Sequence, residues 1–384
     1  MSKVKIIRTS TVAGSLDTFC RGLLSELQEQ DGYEILAVSS PGETLETLGR
    51  REGVRTAGVP MQRHISVLKD LRSLLGLIRV FRRERPRMVH SMTPKAGLLS
   101  MAAAWLCRVP VRVHTFTGLV FPTATGLTQK ILMLTDRITC ACATHVVPEG
   151  EGVRSDLINY RITRKPLRVL GHGNVRGIDL THYDPRLPEV RERAAGIRRP
   201  GVFTFVFVGR LVRDKGINEL VEAFRRLSAE YRQARLLLVG PQEPELDPLA
   251  PDTVAEIQSN PAIEAVGRQG DVRPWLAAAD AFVLPSYREG FPNVVIEAGA
   301  MGLPSIVTDI NGSREIIIEA ENGTIIPVRD AEALYAAMRR FTAERDCVAA
   351  MAENARQLVA SRYEQSYVRR CLKQYYKEIL SKDI

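Results

Sequence analysis

The sequence predicts an α/β protein made of two doubly wound parallel-sheet domains, and three observations carry that prediction. At 384 residues the chain exceeds what a single hydrophobic core ordinarily organises. Short β-rich runs alternate with helical patterns along nearly its whole length, the signature of parallel sheets covered by helices. Between two such series, His172 to Pro200 is rich in Gly, Pro and Arg and lacks sustained periodicity, which reads as the connection between domains.

In the first series the strands are expected at Val4 to Arg8, Tyr33 to Ser39, Val54 to Val59, Arg87 to His90, Val111 to Phe116, Thr144 to Pro148 and Leu167 to Leu170. In the second they are expected at Phe203 to Gly209, Ala234 to Gly240, Ile263 to Gly267, Ala281 to Leu284, Ser305 to Thr308 and Thr324 to Val328. Helices fill the gaps, and residues 346 to 381 read as helix throughout. Sheets of this kind bind ligands beyond the carboxyl ends of their strands. The expected organisation is therefore two domains facing across a cleft, 1–185 and 186–365, with a helix at 366–384 returning to the first.

With 45% hydrophobic and 25% charged residues the composition is that of an ordinary globular protein. No apolar stretch reaches transmembrane length, and the run from Lys3 and Lys5 into the first strand has no signal-peptide core. Cys20, Cys107, Cys140, Cys142, Cys347 and Cys371 form no Cys-x-x-Cys pair, which favours a reducing compartment. The expected location is cytoplasmic. The formal charge of +9 is uneven: residues 1–185 hold 26 Lys plus Arg against 16 Asp plus Glu, a net of +10, so the first half carries all the excess. Such asymmetry implies a polyanionic partner. Because no nucleic-acid-binding motif accompanies it, the expectation is an anionic membrane face and no nucleic acid.

Along the first half, Thr9 to Gly14 links the first strand to a helix expected from Ser15, and Gly14 would let backbone approach a phosphate. From Val67 to Arg85, Leu71, Leu74, Leu75, Ile78 and Phe81 recur at helical spacing, with Lys69, Arg72, Arg79, Arg82 and Arg83 supplying charge. That pattern predicts a basic amphipathic helix, apolar face inward and arginine face toward lipid. His90 and His114 each end an expected strand, where site residues of α/β sheets accumulate.

The second half is organised around Leu284 to Glu297, reading Leu-Pro-Ser-Tyr-Arg-Glu-Gly-Phe-Pro-Asn-Val-Val-Ile-Glu. A strand ends at Leu284, Gly290 and Pro292 break the chain, and a helix is expected from Asn293 to Met301. Helix amino termini attract phosphate. Glu289 and Glu297 bracket this loop, and taken alone they read as ordinary surface and first-turn glutamates. Upstream, Arg210 follows a strand and Lys215 precedes a helix, which places two cations near the same edge for a diphosphate. Eight residues at about 1.5 Å rise would set the two glutamates roughly 12 Å apart, too far for a glycosidase pair.

Gly209-Arg210 with Lys215-Gly216, followed by Pro285-Ser286, Glu289 and Glu297, resembles the nucleotide-sugar glycosyltransferases of family 4, across essentially the whole chain. In the first half, Val89 to Leu99, His114 to Gly118 and Val169 to Asp179 resemble the branch that builds bacterial capsule and O-antigen. The resemblance implies the GT-B architecture of two Rossmann-like domains. It also implies that Arg210 and Lys215 hold the donor diphosphate, Glu289 faces the donor hexose and Glu297 holds the ribose. Gly290 and the amides of Phe291, Asn293 and Val294 would contact phosphate or sugar, Gly267 and Arg268 the base, and His114 the donor sugar. Many relatives place a second histidine where this chain has Thr117.

The sequence contains no Asp-x-Asp, so the expected enzyme needs no metal or other cofactor. The activity implied is retaining transfer of a sugar, an N-acetylated hexosamine or its deoxy form, from a UDP-sugar to a polyprenyl-diphosphate-linked saccharide. The site would lie on a peripheral enzyme at the inner face of the plasma membrane. Two other readings stand beside it: a nucleotide-sugar epimerase of the same architecture, and a non-catalytic nucleotide-sugar-binding subunit.

Overall fold

The structure is a computed structural model describing residues 3–62, 66–245 and 247–381. The chain divides into two compact units, Met1–Arg176 with Ser366–Ile384, and Gly177–Gln365. The passage between them thus falls after Arg176, ahead of 185.

The first unit is a parallel sheet of β1 (Lys5–Thr9), β2 (Glu34–Ser39), β3 (Arg55–Gly58), β4 (Met88–Met92), β5 (Val111–Phe116) and β6 (His145–Pro148), in the order β3-β2-β1-β4-β5-β6. Helices cover both faces, which is why β4 is buried at every residue, His90 and Ser91 included. No strand forms at Leu167 to Leu170; Leu167 makes a single parallel bridge to Val146. Pro166 offers no N–H to the ladder. Lys165 turns its ammonium onto the carbonyl oxygens of Cys140 (2.7 Å) and Ala141 (3.0 Å), where a helix ends, and draws the chain off the sheet edge.

The helix Val67–Glu84 forms, but its buried line differs from the one expected. Ser73, Leu77, Phe81 and Glu84 face inward, while Leu71 is 52% and Leu75 45% exposed. The expected interdomain stretch is also not wholly irregular. Pro188–Ile197 is a helix opening on proline at a first-turn position, held by Val190 and Ala194 four residues apart. Near the carboxyl end two helices replace one, Arg345–Tyr363 and Gln365–Ser381, parted where Glu364 takes an extended ψ of 136°.

The helix Gln365–Ser381 belongs to the first unit and places Leu372, Tyr376 and Ile379 in a cluster with Ile6, Leu16 and Leu24. A buried polar tie joins it to the sheet. Arg8 donates to Tyr376 Oη and to His90 Nδ1 (2.9 Å), and His90 Nε2 lies 2.7 Å from Thr115 Oγ1. His90 is therefore an interior residue of β4, 1% exposed, and not a strand-end site residue. Burial first, and then Arg8, holds its pKa well below the ordinary value, so it serves as a neutral acceptor.

The second unit repeats the design with β7 (Phe203–Val208), β8 (Ala234–Val239), β9 (Ile263–Gly267), β10 (Ala281–Leu284), β11 (Ser305–Thr308) and β12 (Gly323–Ile326), in the order β12-β11-β10-β7-β8-β9. Its core is apolar on both sheet faces, with Phe205, Phe207, Leu237 and Phe282 at 0% exposure. All six cysteines are free. Among the described residues no helix is long and apolar enough to cross a membrane.

One buried carboxyl in the first unit makes a pH-dependent contribution. Asp136 lies on the inward side of the helix Gly126–Cys142, and burial pushes its pKa up to about 7. Its folded pKa lies above its unfolded value, so the stability it contributes is complete below about pH 3.9 and is lost as pH rises toward 7. Asp136→Asn is expected to match the parent protein in thermal melts at pH 4 and to exceed it at pH 8.

Candidate functional site

In a doubly wound sheet a crevice opens where successive strands are laid down on opposite sides of the first one. In the second unit this switch point lies between β7, which is followed outward by β8 and β9, and β10, which starts the other side. The segments leaving these two strands are 209–216 and 285–292, the same two that the sequence singled out.

They are stitched together backbone to backbone. Tyr287 N–H donates to the Asp214 carbonyl (2.9 Å), the buried Ser286 hydroxyl lies 3.3 Å from the same oxygen, and Thr308 Oγ1 donates to the Ser286 carbonyl (2.5 Å). Three glycines permit the approach. A Cβ on Gly216 (φ +70°) would overlap the Pro285 carbonyl oxygen, and one on Gly240 (φ +150°) the Gly209 carbonyl oxygen. One on Gly312 (φ +73°) would sit 2.6 Å from Pro292 Cδ and 2.7 Å from Phe291 Cα. The sequence reading passed over Gly240 and Gly312. A glycine directly after β8 and the Asn311-Gly312 pair after β11 were the available signals.

This frame sets the charges. Lys215 Nζ pairs with Glu289 Oε1, both largely shielded from solvent. Arg210 Nη1 meets Glu243 Oε2 at 2.8 Å, half-exposed. Arg213 and Arg288 pair with Asp247 and Asp214 at 3.2 and 3.1 Å. The helix begins at Asn293 with Pro292 as its N-cap, so its first turn, Asn293 and Val294, aims N–H groups out of the structure beside this cluster. Arg210 and Lys215 thus lie on the segment that leaves β7 and the helix amino terminus on the segment that leaves β10, an arrangement suited to a diphosphate, with Glu289 joining the two segments through Lys215.

Other expected residues fall as follows. Glu289 lies in the loop and not on the helix, so no helical rise separates it from Glu297; only Asn293 to Glu297 is helical. Phe291 is 5% exposed and packs edge-on against Tyr363 at 5.6 Å between ring centres, which anchors the loop and leaves Gly290 before it partly exposed. Gly267, with φ +68°, and the exposed Arg268 close β9 beside β8, with open space where a Cβ on Gly267 would stand.

In the first unit the switch point lies between β1 and β4. Gly14 is the second residue of the helix Ala13–Cys20, which starts ahead of Ser15, and a Cβ there would meet nothing within 4 Å. Beside it Thr93 adopts φ +68° and joins Thr11 through Oγ1 to Oγ1 at 2.9 Å. His114 is placed differently from the expectation. It lies inside β5, 1% exposed, with Ser91 Oγ 2.8 Å from Nδ1, Phe116 edge-on at 4.4 Å, and the backbone of Gly97 directly against its ring. Burial pushes its pKa down to about 3. A neutral ring enclosed in this way supports a strand and a helix.

Comparison with known proteins agrees with this geometry. Residues 202–344 match the family model "Glycosyl transferases group 1", and residues 14–173 match the model "Glycosyl transferase 4-like domain". The capsular polysaccharide biosynthesis glycosyltransferase CapM of Staphylococcus aureus is 28% identical over 381 residues, covering 99% of this chain and 98% of that one. The UDP-Gal:alpha-D-GlcNAc-diphosphoundecaprenol alpha-1,3-galactosyltransferase of Escherichia coli is 29% identical over 297 residues, 76% of each chain. Among solved structures, HepE of Anabaena in complex with UDP and glucose matches with a TM-score of 0.79 at 16% identity, covering 98% of this chain and 100% of that one; the likeness is one of fold.

Two substitutions test the frame and the cations. Gly216→Ala adds both overlap and a strained positive φ, and is expected to lower stability by about 1–3 kcal/mol and to weaken binding of inorganic pyrophosphate, read by thermal melts and calorimetry. Glu243→Gln releases Arg210 from a half-exposed pair worth about 0.2–1 kcal/mol, so pyrophosphate should bind up to about fivefold more tightly by the same titration.

Proposed function

The chain belongs to the group 1 (family 4) glycosyltransferases with the GT-B fold, and on that premise we propose that it moves a sugar from a UDP-sugar to a polyprenyl-diphosphate-linked saccharide. It is a glycosyltransferase of surface polysaccharide biosynthesis. The observation that carries the donor half is the convergence of Arg210, Lys215 and the amino terminus of Asn293–Ala300 at the β7/β10 switch point. UDP leaves with negative charge building on its terminal phosphate, and fixed cations and backbone amides stabilise that charge without reorganising. The acceptor half is supported by the relative from Escherichia coli, whose name specifies a diphosphoundecaprenol-linked acceptor.

In the proposed cycle the donor diphosphate takes the Lys215 ammonium from Glu289 and the Arg210 guanidinium from Glu243. Glu289, freed from the ion pair, turns its carboxylate to the hydroxyls of the donor hexose. Glu297 binds the ribose, and Gly267 and Arg268 flank the base. The acceptor hydroxyl attacks the anomeric carbon on the face the leaving group departs from and passes its proton to a leaving phosphate oxygen, which retains configuration. No group in this scheme is His114. The epimerase and binding-subunit readings are set aside because the family and the relatives above are transferases.

Lys215→Ala is expected to lower kcat about 10²–10³-fold while leaving the melting profile nearly unchanged, measured by UDP release with a lipid-linked acceptor. Near-normal turnover would remove the diphosphate role. A panel of UDP-, GDP- and TDP-sugars scored by thermal stabilisation tests the nucleotide and the N-acetylated hexosamine together; stabilisation by GDP-sugars alone would overturn the uridine assignment.

A further inference from the structure

The sequence pointed to the helix Val67–Glu84 as the lipid-facing element, yet the first unit carries a more ordered apolar line on another helix. In Gly126–Cys142 the side chains of Leu127, Ile131, Leu134 and Ile138 are 73, 41, 55 and 40% exposed. At 100° per residue they fall within an arc of roughly 60°, opposite the buried Asp136. The exposed Lys130 and Arg137 lie along one border of that arc. An outward apolar line of three helical turns is not needed to build the core, because Thr139 and Cys140 already fill the inward side.

At the carboxyl end of this helix the line runs into an open pocket of about 780 Å³ lined by Arg137, Arg154, Arg161, Arg164 and Ile158. Arg137 donates to the carbonyls of Arg161 and Tyr160 (3.3 Å each), which fixes the turn, and Arg161 holds φ +52°. Arg154 pairs with Glu151 at 2.8 Å. Among the described residues no carboxylate pairs with Arg137, Arg161 or Arg164. The pocket lies where β6 begins, at the edge of the sheet opposite Thr11, Gly14 and Thr93, and it shares no residue with the candidate donor site.

We infer that the helix Gly126–Cys142 is the membrane-docking element, and that the Arg137/Arg161/Arg164 pocket binds the phosphate of an anionic phospholipid headgroup. The apolar line enters the acyl boundary while the guanidiniums, at its end, meet the headgroup layer; charge and apolar surface adjoin in the order a bilayer presents them. Arginine suits the role, since its fork matches phosphate oxygens in pairs. The inference rests on the lipid-linked acceptor proposed above, which places the substrate in a membrane.

The test is flotation of the full chain with vesicles at constant low ionic strength. The parent protein should float with phosphatidylglycerol/phosphatidylcholine vesicles and remain behind with phosphatidylcholine alone. Arg161→Ala with Arg164→Ala, and separately Leu134→Ser with Ile138→Ser, should each lower partitioning about tenfold. Donor hydrolysis without vesicles should stay within about twofold in both, which excludes misfolding. If the parent floats and both variants float equally well, this inference falls and the acceptor reading stands, with docking elsewhere. If the parent ignores anionic vesicles altogether, both fall. Saturable stabilisation of the vesicle-free protein by micromolar inorganic phosphate, lost in the arginine variant, would overturn the lipid assignment in favour of a soluble anion.

Discussion

The candidate site depends on one steric constraint: at the β7/β10 switch point, backbone must touch backbone. Gly216 lies under the Pro285 carbonyl, Gly240 under that of Gly209, and Gly312 under Phe291 and Pro292. Any Cβ at these positions would push the segments apart and separate Lys215 from Glu289. The charges take their positions from the packing and do not create it. Phe291 secures the same loop from the core side, so its side chain belongs to the scaffold while its backbone lies beside the site.

Both cations expected to hold a diphosphate are already engaged with carboxylates. A buried cation without a partner is costly, and the two pairs, one shielded and one half-exposed, differ in how much solvent has done to weaken them. In the proposed cycle phosphate takes the place of carboxylate on each cation, and the released Glu289 and Glu243 carboxylates must then find hydrogen-bond donors in the donor sugar and in solvent.

The first unit separates its interior histidines from its surface. His90 works with Arg8, Tyr376 and Thr115 to hold the last helix on the sheet, and His114 fills space beneath Gly97. Exposed apolar and basic residues gather on the helices outside. Both histidines serve the interior, whereas the helix Gly126–Cys142 presents an outward apolar line of about three turns.

Periodicity by itself determined the fold class and twelve of the expected strands, because strands buried on both faces must be apolar runs and parallel pairing requires helices between them. It also determined that Arg210 and the Glu289 loop leave strand ends, since each follows such a run, and that Lys215 precedes a helix. The tertiary structure alone decided what local pattern leaves open. It set which face of Val67–Glu84 turned inward and that Leu167 leaves the sheet after one bridge. It buried His114 and placed Gly312 against a loop some twenty residues earlier. Each of these depends on what a distant segment offers for contact, and a residue's neighbours in sequence do not specify its neighbours across a sheet.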